Sequence, residues 1–328
     1  MNIAFFNTKS YEKEFFEKEN KAFGFTIKYF DISLNSDTCN LAAGYDVVCV
    51  FVNDILSKDV IEILIKHGVK LIALRCAGYN NVDLSAAEGK IAVVHVPAYS
   101  PHAVAEHALA LMLCLNRKLH KAFYRTRDNN FSIAGLMGFD MHKKTAGIIG
   151  CGQIGACLIP ILKGLGMQVL GYDVVPSLPE KAGATSVDLD TLYKNSDVIS
   201  LHCSLSKTNK HLISEDALQK MKTGVMLINT GRGALIDHTA LIQALKSGKV
   251  GAVGLDVYEE ESNIFYKDLS ESFISDDILA RLQTFPNVLI TAHQAFFTKE
   301  AMHNIALTTL ENICAYKEQR TLKNQVSR

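Results

Sequence analysis

The chain has 328 residues, 48% of them apolar and 21% charged, with 34 basic side chains balanced by 34 acidic ones. That length suits two domains better than one, and a net charge of zero gives no electrostatic footprint for nucleic acid or an anionic membrane. No apolar run approaches the roughly 18 residues of a membrane span; the closest, residues 103–115, carries Glu106 and His107 and reads as a buried helix.

From the N-terminus onward strand and helix alternate, which predicts an α/β protein with parallel sheets. Residues 3–6 and 47–52 read as buried strands, with helices over 9–23 and 58–67 beside them, and no basic leader precedes the first strand. Strands over 70–74 and 92–96 continue the pattern. A breaker over 97–101 follows, and Ser100 ahead of Pro101 marks the start of a long helix reaching about residue 119. Beyond it, strands are expected over 145–149, 167–172, 198–201, 225–228, 251–255 and 288–290, the six of a doubly wound domain. A final helix spans about 299–318. Eight cysteines are scattered without metal-ligand spacing, as reduced thiols of a cytoplasmic protein would be, and no metal is expected.

Residues 147–155 read GIIGCGQIG, between the strand over 145–149 and a helix over 154–165. Gly150, Gly152 and Gly155 form G-x-G-x-x-G, in which the first glycine bends the chain, the second admits a pyrophosphate and the third lets helix and strand pack closely. The helix N-terminus adds N–H donors and partial positive charge. Asp173 ends the following strand, where a carboxylate accepts from the adenosine ribose hydroxyls. No Arg or Lys occupies 174–176, so a 2′-phosphate would be repelled and the cofactor is NAD rather than NADP.

A nicotinamide enzyme acting on an alcohol needs a base for the hydroxyl proton and a cation for the carbonyl oxygen. Three strand ends supply candidates. Arg232, flanked by glycines after the strand over 225–228, can clamp a carboxylate in bidentate fashion. Asp256 opens an acidic run, Glu259 to Glu261, that could equally be a solvated surface. His293 follows the strand over 288–290, and a carboxylate beside it would fix its tautomer for proton transfer.

At these residues the chain closely resembles the D-specific 2-hydroxyacid dehydrogenases, in their fermentative bacterial D-lactate branch. The likeness runs through residues 6–11 (FNTKSY), 51–54 (FVND), 75–83 (RCAGYNNVD), 96–101 (VPAYSP), 125–131 (RTRDNNF) and 293–296 (HQAF), with Arg232, Glu261 and His293 spaced by 29 and 32 residues. The resemblance implies two Rossmann-like or flavodoxin-like domains with doubly wound parallel sheets and an active site in the cleft between them. The substrate domain would combine 1–100 with 297–328, and 101–296 would form the inserted NAD-binding domain, with hinges near 97–101 and 295–298 closing over the substrate.

The implied reaction is reversible NADH-dependent reduction of pyruvate to D-lactate, with Arg232 on the substrate, His293 as acid/base and Glu261 as its partner. Backbone N–H groups of Ala77 and Gly78 would hold the substrate carboxylate, and Tyr99 and Phe296 would shape its side-chain pocket. Gln153 and Ile154 fall at the pyrophosphate, Cys203, Asn209 and Thr230 along the nucleotide, and Asp256 near the carboxamide. Ser204 stands where many relatives carry proline. The long helix from Pro101 resembles the family's dimerisation element, implying a homodimer or homotetramer. Two alternatives stay open, a dehydrogenase for bulkier 2-keto acids and an NADH-sensing interaction protein of the corepressor type. If Cys76, Cys151 and Cys203 line the site, thiol modification should inhibit. Cys151 would be the most reactive, because a helix N-terminus lowers a thiol pKa.

Overall fold

The structure, a computed structural model, describes residues 1–261 and 264–327. The chain forms two compact units, one of Met1–Ser100 with Phe297–Arg328 and one of Pro101–Phe296. Among the described residues no helix is long and apolar enough to cross a membrane.

The first unit starts with β1 (Asn2–Phe5), α1 (Ser10–Asn20) and β2 (Thr26–Tyr29), then β3 (Val47–Val50), α2 (Lys58–Lys66), β4 (Leu71–Leu74), α3 (Leu84–Ala87) and β5 (Ala92–Val94). Its strands pair in parallel in the order β2-β1-β3-β4-β5, the flavodoxin-like winding. β2 escapes a reading by hydropathy because it is an edge strand whose side chains are half-buried or exposed.

The second unit opens with α4 (Pro101–Arg117). Left-handed Lys118 (φ 50°) ends this helix, and α5 (Leu119–Arg127) sets off separately with no buried residue, where a single helix to about 119 was expected. Then come β6 (Thr145–Ile149), α6 (Gln153–Gly164), β7 (Gln168–Tyr172), α7 (Leu178–Lys181), β8 (Thr185–Ser186), α8 (Leu189–Asn195) and β9 (Val198–Leu201). α9 (Glu215–Lys220), β10 (Val225–Asn229), α10 (His238–Lys246), β11 (Val250–Leu255), α11 (Asp277–Gln283) and β12 (Val288–Ile290) complete it, and α12 (Lys299–Lys317) returns the chain to the first unit. The sheet is parallel in the order β12-β11-β10-β9-β6-β7-β8, seven strands rather than the six expected. β8 is only two residues long and shows no periodicity to read.

Both faces of this sheet are covered, which is why its inner strands are mostly apolar. On one side Leu192, Leu218, Leu241 and Leu282 from α8 to α11 pack against Leu227 and Val253. On the other, Leu111 and Met112 of α4 and Leu158 and Leu162 of α6 pack against Ile148 and Ile228.

In the first unit the core contains a buried ion pair. Arg75, just past β4 and 0% exposed, places Nε 2.8 Å from Glu12 Oε1, and its Nη2 donates to the Asn7 carbonyl. Its guanidinium lies 4.3 Å from the Phe5 ring centroid and 5.1 Å from that of Phe51. Burial acts to strip its proton, but the Glu12 charge outweighs burial and keeps the guanidinium charged. The pair ties the start of α1 to the strand end ahead of Ala77 and Gly78. Arg75→Met alone strands the Glu12 charge and is expected to cost about 3–5 kcal/mol. Combining it with Glu12→Leu should recover much of that loss, as urea unfolding of the single and double variants would show.

Candidate active site

Six of the seven strands of the second unit's sheet end in register. Tyr172 pairs with Ile149, Ile149 with Leu201, Leu201 with Asn229, Asn229 with Leu255 and Leu255 with Ile290. One step beyond that row stand Asp173, Gly150, His202, Thr230, Asp256 and Thr291. Residues scattered over more than a hundred positions thus share one carboxyl edge. The strand order reverses between β6 and β9, and ligands of open α/β sheets bind at such a reversal.

At that reversal the glycines divide by cause. Gly150 has φ +93°, and a Cβ there would lie 2.4 Å from the Cys203 nitrogen. A Cβ on Gly155 would lie 2.2 Å from the Gly150 carbonyl oxygen. The fold itself requires these two. A Cβ on Gly152, the N-cap of α6, would meet nothing within 4 Å, so the fold leaves that side open to an approach from outside, as by the pyrophosphate of a dinucleotide. Gly152 caps α6 without a side-chain hydrogen bond, and the N–H groups of Gln153 and Ile154 donate to no acceptor among the described residues. Asp173 accepts from Cys151 N at 2.8 Å and Val175 N at 2.9 Å. The site fits NAD.

The loop after β10 is built on Asn229, 0% exposed, whose amide donates to the Arg232 carbonyl and accepts from Gly231 N. Arg232 is half-buried, its Nη1 donates to the Gly231 carbonyl, and it makes no ion pair among the described residues. Gly233 is needed because a Cβ would lie 2.1 Å from the Tyr258 carbonyl carbon, so the Arg232 turn rests on the peptide of the next loop. Beside it the Thr230 hydroxyl lies 3.4 Å from His202 Nδ1, while His202 Nε2 meets Ser200 Oγ at 2.8 Å. Burial pushes His202 down to about 4, leaving it neutral at physiological pH. Asn209 is taken up by its own loop, bonding the Ser204 carbonyl and the Ser206 amide, with Cys203 Sγ 4.0 Å away.

The acidic run is far from a uniform solvated face. Glu259 binds Lys210 at 2.8 Å and His211 at 2.9 Å, and Glu260 is exposed. Glu261 Oε1 accepts from His293 Nδ1 at 2.7 Å, while its Oε2 accepts from Tyr258 N. The carboxylate fixes the imidazole so that Nε2 is the nitrogen left for a reacting group. Tyr258 is in turn held through its hydroxyl by Asp276, the N-cap of α11.

Asp256 is 0% exposed. Its Oδ1 accepts from the Thr291 hydroxyl at 2.6 Å and Gln294 N at 2.9 Å, with His107 of α4 at 3.4 Å, and its Oδ2 accepts from Ala295 N at 2.9 Å. Burial alone would push this carboxyl up, but the bonds from His107, Thr291 and the two amides outweigh it and hold it below the ordinary value. Its side chain is thereby the staple of the turn that carries His293, whatever it also offers a carboxamide. His107, Asn229 and Asp276 were not foreseen, since nothing in their spacing marks them.

In the first unit, Ala77 and Gly78 follow Arg75, and their N–H groups donate to no partner among the described residues. The Ala77 carbonyl takes His95 Nδ1 at 2.9 Å. The Tyr99 carbonyl accepts from Asn304 of α12. Phe296, the last residue of the second unit, is 8% exposed.

The expectation that Cys151 is the most reactive of the three thiols is overturned. Burial pushes Cys76 up to about 12 and Cys203 up to about 11. Cys151 rises to about 12 through burial and the nearby Asp173 charge. It precedes the cap of α6, and its thiol turns inward to the carbonyls of Ile148 and Tyr172, at 3.8 Å each. Only its amide faces Asp173, so the helix terminus does not activate the sulfur.

Because folded Asp256 holds its proton less tightly than an ordinary carboxyl near 3.8, its stabilisation is complete above that pH and fades as pH falls through the depressed folded value. Asp256→Asn should therefore cost about 2–4 kcal/mol at neutral pH, with one acceptor exchanged for a donor facing donors. Urea unfolding from pH 7 down to 3 should show the gap from wild type closing on acidification.

Residues 109–295 match the sequence profile described as D-isomer specific 2-hydroxyacid dehydrogenase, NAD binding domain. The chain is 51% identical over 328 residues to the D-lactate dehydrogenase of Escherichia coli K12, covering 99% of this chain and 100% of that one. The structure superposes with a TM-score of 0.94 on the pyruvate reductase of Chlamydomonas reinhardtii, at 45% identity over 99% of this chain and 98% of that one. It superposes with a TM-score of 0.85 on the NAD+ form of D-lactate dehydrogenase from Lactobacillus jensenii, at 33% identity over all of both chains. With the glycine loop, the paired histidine and these likenesses in agreement, the chain belongs to the D-isomer specific 2-hydroxyacid dehydrogenases, NAD-dependent oxidoreductases.

Proposed function

We propose that the protein reduces pyruvate to D-lactate, reversibly, with His293 as the acid/base. The observation that carries this is the 2.7 Å contact between His293 Nδ1 and Glu261, which commits Nε2 to the substrate. Bound NADH supplies the hydride that reaches the carbonyl carbon. As that carbon is reduced, the Nε2 proton of His293 passes to the oxygen, and Glu261 offsets the charge carried by the imidazolium. Arg232, with no counter-ion among the described residues, takes the substrate carboxylate and polarises the carbonyl. The N–H groups of Ala77 and Gly78 serve the same carboxylate, and Tyr99 and Phe296 bound the small side chain. The D configuration and the choice of pyruvate are supported by the likeness to the D-lactate dehydrogenase of Escherichia coli and the pyruvate reductase of Chlamydomonas reinhardtii.

Eight free cysteines suit a reducing compartment, the cytoplasm. A homo-oligomer is supported by the surface that follows α4. Leu119, Phe123 and Tyr124 of α5 are exposed, and so are Phe131 (74%), Ile133 (84%) and Met137 (86%) in the segment after it, a run of large apolar side chains of the kind that marks an association surface. A second copy of the chain would cover it. Light scattering should report a dimer or tetramer, and Ile133→Glu with Met137→Glu should yield monomers; a wild-type monomer would overturn this reading.

The decisive measurement is NADH oxidation with pyruvate, 2-ketoisocaproate and glyoxylate. Pyruvate should give the highest kcat/KM, and His293→Ala should lower it by about 10²–10⁴-fold. Preference for the bulkier acid would leave the chemistry standing and move the substrate. Tight NADH binding with no turnover would favour a sensor.

A further inference from the structure

His293 has φ 52°, a left-handed conformation that costs a non-glycine residue about 1–2 kcal/mol. Its surroundings hold it there. The His293 N–H donates to the Asp256 carbonyl at 2.7 Å, and the next two amides land on the Asp256 carboxylate. The imidazole is fixed by Glu261. The remaining backbone polar group, the His293 carbonyl, accepts from the Tyr266 hydroxyl at 2.9 Å. The Tyr266 ring lies 6.1 Å from the imidazole, centroid to centroid, with the planes at 31°. Tyr266 is itself left-handed, at φ 64°.

We infer that Tyr266 is a positioning residue for the acid/base histidine, its hydroxyl locking the His293 carbonyl and so the direction in which Nε2 points. The inference rests on the reading of His293 as the acid/base. A left-handed residue returns to ordinary backbone by rotating its flanking peptides, and rotation of the 293–294 peptide swings its carbonyl. Asp256 restrains that peptide from the N–H side; Tyr266 restrains it from the oxygen side. With both in place the turn cannot relax without breaking a hydrogen bond. With one gone, Nε2 is free to wander by the ångström or so that proton transfer does not tolerate. Tyr266 makes no use of the substrate or of NADH in this role, so its loss falls on the rate of the chemical step and spares binding.

Tyr266→Phe keeps the ring and removes only the tether. It should lower kcat for pyruvate reduction about tenfold while KM for pyruvate and Kd for NADH stay within about twofold. The solvent deuterium isotope effect on kcat should rise, because proton transfer becomes slower than the other steps. In a Glu261→Gln background the same substitution should do much less, since both act through the alignment of one imidazole. An unchanged kcat and isotope effect would overturn the inference. So would a loss of kcat that is matched by a fall in Tm and is fully additive with Glu261→Gln, which would mark Tyr266 as structural. His293→Ala separates the two levels. If that variant keeps wild-type turnover, the acid/base reading fails; if it loses about 10²–10⁴-fold while Tyr266→Phe behaves as wild type, only the role of Tyr266 fails.

Discussion

The site depends on one buried carboxylate. Asp256 carries a charge where water does not reach, an arrangement that is costly unless every acceptor position is used. Here the acceptors are used by donors that need fixing. Two are the amides immediately after His293, one is the hydroxyl two residues before it, and one comes from α4. Any unfolding of the turn at 291–295 would leave a charge stranded in the core. The left-handed histidine is therefore enforced by electrostatics at its back, while Glu261 sets its ring. Strain of this kind persists only where the surroundings over-determine it, and Asp256 is the largest part of that determination.

The second constraint is the register of the sheet. Parallel strands that end together deliver their next residues to a common edge, so the glycine loop, Thr230, Asp256 and the histidine turn are placed by backbone pairing before any side chain contributes. Neighbouring loops then brace each other. Gly233 exists because the Tyr258 peptide crosses it, and Tyr258 gives Glu261 its second hydrogen bond. The arginine turn and the histidine's partner thus share a support, and each depends on the conformation of the other's loop.

Much of this was legible in the sequence, for identifiable reasons. Buried parallel strands are apolar runs, and the strands over 145–149, 198–201 and 288–290 are found with those very limits. The glycine triplet is legible because its chemistry has few solutions. What escaped was of two kinds. The edge strand β2 and the two-residue β8 carry too little hydrophobic signal to see. Of the supports of the site, His107, Asp276 and Tyr266 act through contacts between residues well apart in the chain, and a single sequence holds no trace of them, while Asn229 acts within its own loop through side-chain bonds that no spacing marks. The error about Cys151 has the same origin. Proximity to a helix terminus can be counted along the chain, but whether the thiol faces the terminus or the core depends on packing beneath Gly171.

Hydrogen-bond accounting then separates what the fold consumes from what it leaves for a ligand. Asn209, Asn229 and the carboxylate of Asp256 are engaged inside the protein. The N–H groups of Gln153, Ile154, Ala77 and Gly78 and the charge of Arg232 are not balanced among the described residues. A folded chain ordinarily pairs such groups or gives them to water. In the second unit, groups of one polarity, all donors, left over beside a glycine whose missing side chain the protein does not need, describe an anionic ligand. The phosphates of a dinucleotide and the carboxylate of a 2-keto acid are anions of that description. The groups that the fold itself does not use are, by this reasoning, the ones it holds open to a ligand.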